Sequence, residues 1–452
     1  MKVPARRMSR VGTPSITNAG IHCDLIRFLA LFLLSAFFAE LVPAQRAVPD
    51  PEFAKVPFEQ WLSEPDQLHF HWTVKVPHAE LSFHQRLLSS VDVELDGRDL
   101  DNHRHDGKII LLIQITDAFG THYQEHGDVE LDKLDPNVKD ANLNYSQRAF
   151  LLPGDYQIAV AILDVATGKH DTSQLKARVS DPLHGSLSDA WHALPSVEFI
   201  GNDVSPESWY LPYIHGHVPW AAAVQSPIQL NVILNVTPSR RASGGLAAMI
   251  PSLKVIAASG TTSVSERVAL VDLSRHKTVF EQSDSRDLDW ERLKSSLGQA
   301  STASIDVHSL SDSLNDAQYF VSEVRRLIRA SGDKPCALVV LTKSVSFESG
   351  EDLDPVSLEA LPPCRIIYIR YHAQPNVNPM SAQMAGVGRR GRLGGGPPGI
   401  GSPLMQPAGF DQLASTLKPL SPKIIDVATP AEVTKALFEI QKTMLKLVDT
   451  SH

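Results

Sequence analysis

Few residues in this chain are of types and spacings suited to chemistry. His69 with His71, and His103 with His105, are each two positions apart, so an extended backbone points both imidazoles of a pair to one side, where they can hold a transition metal. Neither pair brings the third and fourth ligand that such an ion requires, so surface histidines are the expected reading. Cys336 and Cys364 each precede a strongly apolar run, ALVVLT and RIIYIR. At the starts of neighbouring parallel strands the two thiols come within disulfide reach, while two buried free thiols fit the same pattern. Without histidines nearby they make a poor zinc site. A nucleophilic enzyme needs an activated side chain with a base in reach, and no Gly-x-Ser-x-Gly elbow, His-Glu-x-x-His pair or Gly-rich phosphate loop ending in Lys-Ser/Thr occurs. The expectation is a protein without catalytic residues, metal or cofactor. Asn144-Tyr-Ser and Asn235-Val-Thr match the glycosylation pattern, but the second is followed by Pro at the end of an apolar strand and is discounted.

The compartment in which these residues work is set by the N-terminus. Lys2, Arg6, Arg7 and Arg10 precede the apolar run FLALFLLSAFF at 28–38, which is short for a bilayer span. Val42-Pro43-Ala44 then offers small residues where a signal peptidase cuts, so residues 1–44 are expected to be a secretory signal, with a retained anchor as the rival reading. Cys23 lies before the apolar run, which argues against lipid attachment. The formal charge is -9, and loss of five basic and two acidic side chains with the signal makes it three units more negative. Such a balance argues against nucleic acid, whose binding needs clustered Lys and Arg. The expected protein is secreted or periplasmic, a component of a bacterial envelope, with protein partners and no stable membrane span after cleavage.

Residues 65–182 alternate with period two in short segments: His69–Val76, Ser90–Leu95, Lys108–Asp117, Gln147–Leu152, Tyr156–Asp164 and Gln174–Val179, with Gly, Pro, Asp and Asn between them. That pattern predicts an antiparallel β-sandwich. Leu152-Pro-Gly-Asp-Tyr156 resembles the turn into a late strand of immunoglobulin-like modules. Residues 183–226 hold Trp191, Trp209, Tyr210, Tyr213 and Trp220 without a sustained period and are expected to be an ordered connector.

From 227 to 450 strand and helix signals alternate. Strands are expected at Ile228–Val236, Glu266–Leu273, Lys277–Gln282, Ala337–Thr342, Arg365–Tyr371 and Ile424–Val427, and helices at Trp290–Leu297, Ser311–Ala330 and Pro430–Leu447. In the second helix Leu314, Ala317, Phe320, Val321, Val324 and Leu327 share one side. This order predicts an α/β domain with a mainly parallel, doubly wound, Rossmann-like sheet. Residues 374–406 form a Gly, Pro and Arg-rich insertion, including Arg389, Arg390 and Arg392, that cannot bury enough apolar area to fold by itself.

This second half resembles the von Willebrand factor A family, on the segments IQLNVILNVTPS (228–239), ERVALVDLS (266–274), CALVVLTKS (336–344) and FDQLASTLKPLSPKIIDVATPAEVTKALFEI (410–440). In that family the first strand ends in Asp-x-Ser-x-Ser, a later loop adds a Thr and the fourth strand ends in an Asp, and together they hold a divalent ion, usually magnesium. Mapped onto this chain, the first Asp is Asn235, the two Ser positions are Thr237 and Ser239, and the fourth-strand Asp falls on or beside Lys343. Thr302 and Ser309 are weak candidates for the Thr, because Ala303–Leu310 reads as an extra strand. One misplaced unit charge at about 4 Å costs on the order of 4 kcal/mol at an effective dielectric near 20. The resemblance therefore implies a degenerate ion site and a metal-free ligand-binding rim of Asn235, Thr237, Ser239, Ser274 and Lys343. Lys343 either mimics the ion toward an acidic ligand or is a solvated lysine on a vestigial rim. The expected function is non-enzymatic protein binding or scaffolding. Metal-dependent adhesion through a nonstandard ion site, and a structural subunit of an envelope assembly, are the alternatives.

Overall fold

The computed structural model describes residues 50–64, 68, 70–105, 107–182, 191, 194–201, 227–237, 244–257, 264–283, 288–302, 313–343, 364–372 and 411–449, all within one compact unit, Ala47–His452. The signal segment, His69, most of the connector, Ser239, the Ala303–Leu310 strand with Ser309, and the 374–406 insertion lie outside the described residues. No helix among the described residues is long and apolar enough to cross a membrane.

The first half builds two antiparallel sheets. One pairs β1 (Trp72–Lys75), β3 (Leu87–Leu95), β6 (Leu143–Leu151) and β9 (Val197–Phe199) in that order, with β2 (Glu80–Leu81) on β3. The other runs β5 (His122–Glu130), β4 (Lys108–Thr116), β7 (Gly154–Asp164), β8 (His170–Val179). Alternate residues face inward, so Val91, Val93 and Leu95 of β3 share a single core with Ile109, Leu111 and Ile113 of β4 and Ile158 and Val160 of β7. The continuous apolar run of β4 has a separate cause. Its other face, Ile110 and Leu112, is covered together with Ala159 and Ala161 of β7 by Phe53, Phe58 and Trp61, the last two from the short helix α1 (Phe58–Trp61). A second short helix, α2 (Gly97–Asn102), is capped by Asp96, whose carboxylate accepts from the amides of Arg98 and Asp99.

The second half contributes one six-stranded sheet: β12 (Lys277–Ser283), β11 (Val264–Asp272), β10 (Ile228–Asn235), β13 (Cys336–Lys343), β14 (Cys364–Tyr371), β15 (Lys423–Val427). The expected fold class, a helix-rich doubly wound α/β domain, is corrected here. The described chain is mostly β-sheet, in three antiparallel or mixed sheets, and helices are the smaller share. In the six-stranded sheet β12 runs antiparallel to β11. Only the turn Leu273–Arg275 and His276, in the left-handed region at φ 48°, separate the two strands. That is far too short for the crossover that parallel neighbours need, so the chain doubles back.

The sheet is covered by α3 (Gly244–Ala257), α4 (Trp290–Thr302) and α7 (Pro430–Asp449) over Leu230, Val232 and Leu234, and by α5 (Ser313–Arg329) and α6 (Gln412–Leu417) over Ile233, Leu338 and Val340. Cys336 and Cys364 open β13 and β14, stand opposite each other in the parallel register at a Cα separation of 4.4 Å, and are joined by a disulfide.

The two halves are locked by the turn between β2 and β3. Gln85 adopts φ 57° and is completely buried. Its Nε2 donates to the Pro430 carbonyl (3.0 Å) at the start of α7, its Oε1 accepts from Thr434 Oγ1 (2.6 Å), and its own carbonyl accepts from Trp191 Nε1 (3.0 Å). The neighbouring Arg86 forms a buried ion pair with Glu198 of β9 and lies 4.6 Å from the Phe150 ring. Burial lowers the Arg86 pKa against the opposing pull of Glu198. Lys254 of α3 feels the same environment: burial, opposed by the charge of Glu198, pushes its pKa down to about 8. Removing one partner of such a pair leaves an uncompensated charge in a dry site. Glu198→Ala is therefore expected to lower unfolding free energy by about 3–5 kcal/mol, measured by urea denaturation. A loss near zero would show that the pair is solvated.

Candidate functional site

The strand ends at one edge of the six-stranded sheet bring four of the five rim residues together. Asn235 closes β10, Thr237 follows it, Ser274 lies just past the end of β11, and Lys343 closes β13, the strand on the other side of β10. These neighbours meet because β10 is hydrogen-bonded along both sides, to β11 and to β13, which fixes its end between theirs. Ser239, the fifth, lies outside the described residues.

Most polar atoms at this rim are consumed by one another. Asn235 Nδ2 donates to Thr342 Oγ1 (3.1 Å), and the Thr342 hydroxyl donates in turn to the Lys343 carbonyl (3.0 Å). Asn235 Oδ1 accepts from both the amide (3.0 Å) and the hydroxyl (2.5 Å) of Thr237. Thr237 Oγ1 accepts from the Leu273 amide (2.8 Å), which ties the end of β10 to the end of β11. Ser274 Oγ donates to Asp272 Oδ1 (2.7 Å), while the other oxygen of this fully buried carboxylate stands 3.5 Å from Arg275 Nε. Three residues that sequence reasoning passed over, Asp272, Thr342 and Gly245, complete the geometry. Asp272 and Thr342 were hidden inside apolar strand patterns, and only their place at a strand end signals a role.

Lys343 is half-buried and lies across the first turn of α3. A Cβ placed on Gly245 would come within 1.8 Å of Lys343 Cε and 2.8 Å of its Nζ, so the glycine makes room for the side chain. Burial lowers the Lys343 pKa. A helix N-terminus presents unsatisfied amides and the positive end of the backbone dipole. An ammonium beside it adds to a field that favours anions and disfavours a dication.

Among the described residues His71, His103 and His105 are not brought into a ligand set, and His69 lies outside them. His71 bonds Asp99 (Nδ1 to Oδ2, 2.9 Å), His103 lies 4.9 Å from the Phe70 ring, and His105 is exposed. Asn144 is exposed on β6 opposite Glu94.

No protein-family model matches the chain, and no curated protein matches it. Among solved structures, one structural-genomics target is 18% identical over 26% of this chain and 91% of its own, with a TM-score of 0.17. A Bordetella pertussis protein assigned the name ApaA is 15% identical over 26% of this chain and 99% of its own, also with a TM-score of 0.17. Likenesses at that score carry no argument about this fold or its function.

The amide at 235 works as both donor and acceptor, a role that aspartate cannot fill at neutral pH. In Asn235→Asp the Thr342 hydroxyl must turn toward the new carboxylate and abandon the Lys343 carbonyl. The expected cost is about 1–2 kcal/mol, read as a lower urea midpoint with an unchanged slope. A variant as stable as the parent would mean that the bridge across the strand ends contributes nothing.

Proposed function

We propose that this chain is an exported, non-enzymatic binding protein that captures an acidic group of a protein partner at the rim formed by Asn235, Thr237, Ser274 and Lys343. The observation that carries this reading is the position of Lys343, held against the amino end of α3 through the space left by Gly245. Asn235, Thr237 and Ser274 spend their polar groups on internal links that fix the strand ends. The rim also carries the Lys343 ammonium beside a helix amino end, an arrangement that suits a carboxylate on a partner. The resemblance to the von Willebrand factor A family supports the same edge, with Lys343 on or beside the position where that family places a metal ligand. The disulfide between Cys336 and Cys364 supports an oxidising, extracytoplasmic compartment, because such bonds rarely persist in a reducing cytosol.

The test is charge reversal with a charge-conserving control. In crosslinking and pull-down from the native envelope, Lys343→Glu is expected to lose the captured partner at least tenfold, about 1.4 kcal/mol or more. Lys343→Arg is expected to retain most of it. Undiminished capture by Lys343→Glu, in a protein whose melting curve matches the parent, would place the binding face elsewhere.

A further inference from the structure

A second cluster of ligating groups lies in the other half of the chain, at the free edge of the four-stranded sheet. Strand β5 is the edge strand there. Successive residues of a strand point to opposite faces, so Glu125 and His126 leave β5 on opposite sides and their donor atoms meet only by curling round the strand. His126 pairs in register with Leu112, whose side chain belongs to the outer face, and Glu125 pairs with Ile113, whose side chain belongs to the inner core. The third member comes from the segment that covers the outer face. Phe53, Phe58 and Trp61 bury against that face and hold Asp50 beside β5, where Asp50 Oδ2 meets His126 Nδ1 at 2.7 Å. The other Asp50 oxygen accepts from the Glu52 amide (2.8 Å), which orients the carboxylate.

One donor atom from each of Asp50, Glu125 and His126 lies within 4.8 Å of the others, and no other three such side chains approach this closely among the described residues. A simple ion pair between His126 and Asp50 needs no second carboxylate. Glu125 nevertheless holds one beside the pair, half-buried, accepting a long hydrogen bond of 3.3 Å from the His126 amide. Burial, with the nearby charge of Asp50, raises the Glu125 pKa. Burial would lower that of His126, but the hydrogen bond and charge of Asp50, with Asp128 and Glu125 adding to them, outweigh it and raise the pKa. Two carboxylates facing one imidazole form a site short of positive charge, and the oxygen and nitrogen donors are those of zinc and related ions. Bonds of about 2.0–2.2 Å place tetrahedral ligands roughly 3.4 Å apart, so an ion entering here has to part the 2.7 Å Asp50–His126 contact by about 0.7 Å, with Glu125 within 4.8 Å of both.

We propose that Asp50, Glu125 and His126 form a divalent transition-metal site of the zinc class that pins the N-terminal covering segment to the edge of the four-stranded sheet. Three protein ligands leave a fourth position for water or an exogenous ligand. The site also shields the exposed edge of β5 from pairing with another strand.

The experiment is titration of the purified full-length protein, stripped with EDTA, with zinc chloride alone, followed by calorimetry and by the thermal midpoint, with magnesium and calcium chloride as comparison arms. Saturable binding of one zinc equivalent, with a raised midpoint, is expected. Affinity should fall at least tenfold in His126→Gln and in Glu125→Gln and stay unchanged in His71→Gln. Glu125→Gln keeps the acceptor that meets the His126 amide, so it remains informative if His126→Gln fails to fold. Absence of zinc binding, binding undiminished in Glu125→Gln, or preference for magnesium or calcium over zinc would each overturn the assignment. None of these outcomes bears on Lys343, so this site and the rim stand or fall separately.

Discussion

A polar group taken out of water must find a partner inside the protein or cost about 1–3 kcal/mol. The centre of the six-stranded sheet is organised around that constraint. Strand β10 is buried along almost its whole length, yet its sequence, IQLNVILN, carries three amides. Asn231 is completely buried and meets the requirement by sharing the two hydrogens of its amide nitrogen among three acceptors, the Leu327 carbonyl (3.2 Å), Ser331 Oγ (2.9 Å) and, more weakly, Cys336 Sγ (3.6 Å). These bonds position the end of α5 and the start of β13 relative to β10. Asn235 does the same at the last position of the strand, joining β10 to β13 and, through Thr237, to β11. The two asparagines tie the central strand to its surroundings at its middle and at its end. Gln85 applies the same rule between the halves of the chain: it is fully buried, and its amide and carbonyl reach α7 and Trp191.

This constraint also explains the chemistry of the rim. In a site built for a dication, side-chain oxygens at the strand ends would be held open for the ion. Here the oxygens of Asn235 and Thr237 accept hydrogen bonds from their own neighbours, and the Ser274 hydroxyl points at Asp272. Lys343 lies with its stem against Gly245, so the rim is stiff at its base and carries a cation where it meets α3. Stiffness matters for recognition because a pre-ordered site loses less entropy on binding than one that must be assembled.

Much of this architecture was legible in the residues. The alternating segments of the first half and the apolar strands of the second stand close to where the pattern placed them, because burial imposes period two on half-buried strands and continuous apolarity on strands covered on both faces. Several features were not legible, and three of them show the physical reasons. Strand β5, HYQEHGDVE, lies at a sheet edge with most residues only partly buried, so it lacks apolar alternation. Helix α3, GGLAAMIPSLKVIA, is buried on nearly every side and contains Pro251, so it lacks the polar face by which a helix is recognised. The antiparallel direction of β12 depends on the length of one turn, and the alternation of strand and helix signals outweighed it in the expected fold class. The rim residues were placed by resemblance rather than by pattern. Asp50 and His126 are 76 positions apart and match no motif, so only the covering of the outer sheet face brings them together.

The disulfide belongs to the same division of labour between the two ends of the six-stranded sheet. Cys336 and Cys364 are the first residues of β13 and β14, while Lys343 and Tyr371 pair in register at the last. A covalent link across 28 positions reduces the entropy of the unfolded chain by an amount equivalent to about 3.5 kcal/mol in the loop-closure treatment. It acts at the end remote from the rim, so it adds stability without placing a rigid bond among the binding groups. The rim end of β13 is instead held by the exchangeable bonds of Asn235, Thr342 and Lys343. The two ends of the sheet are thus held by different means, one covalently and the other by hydrogen bonds.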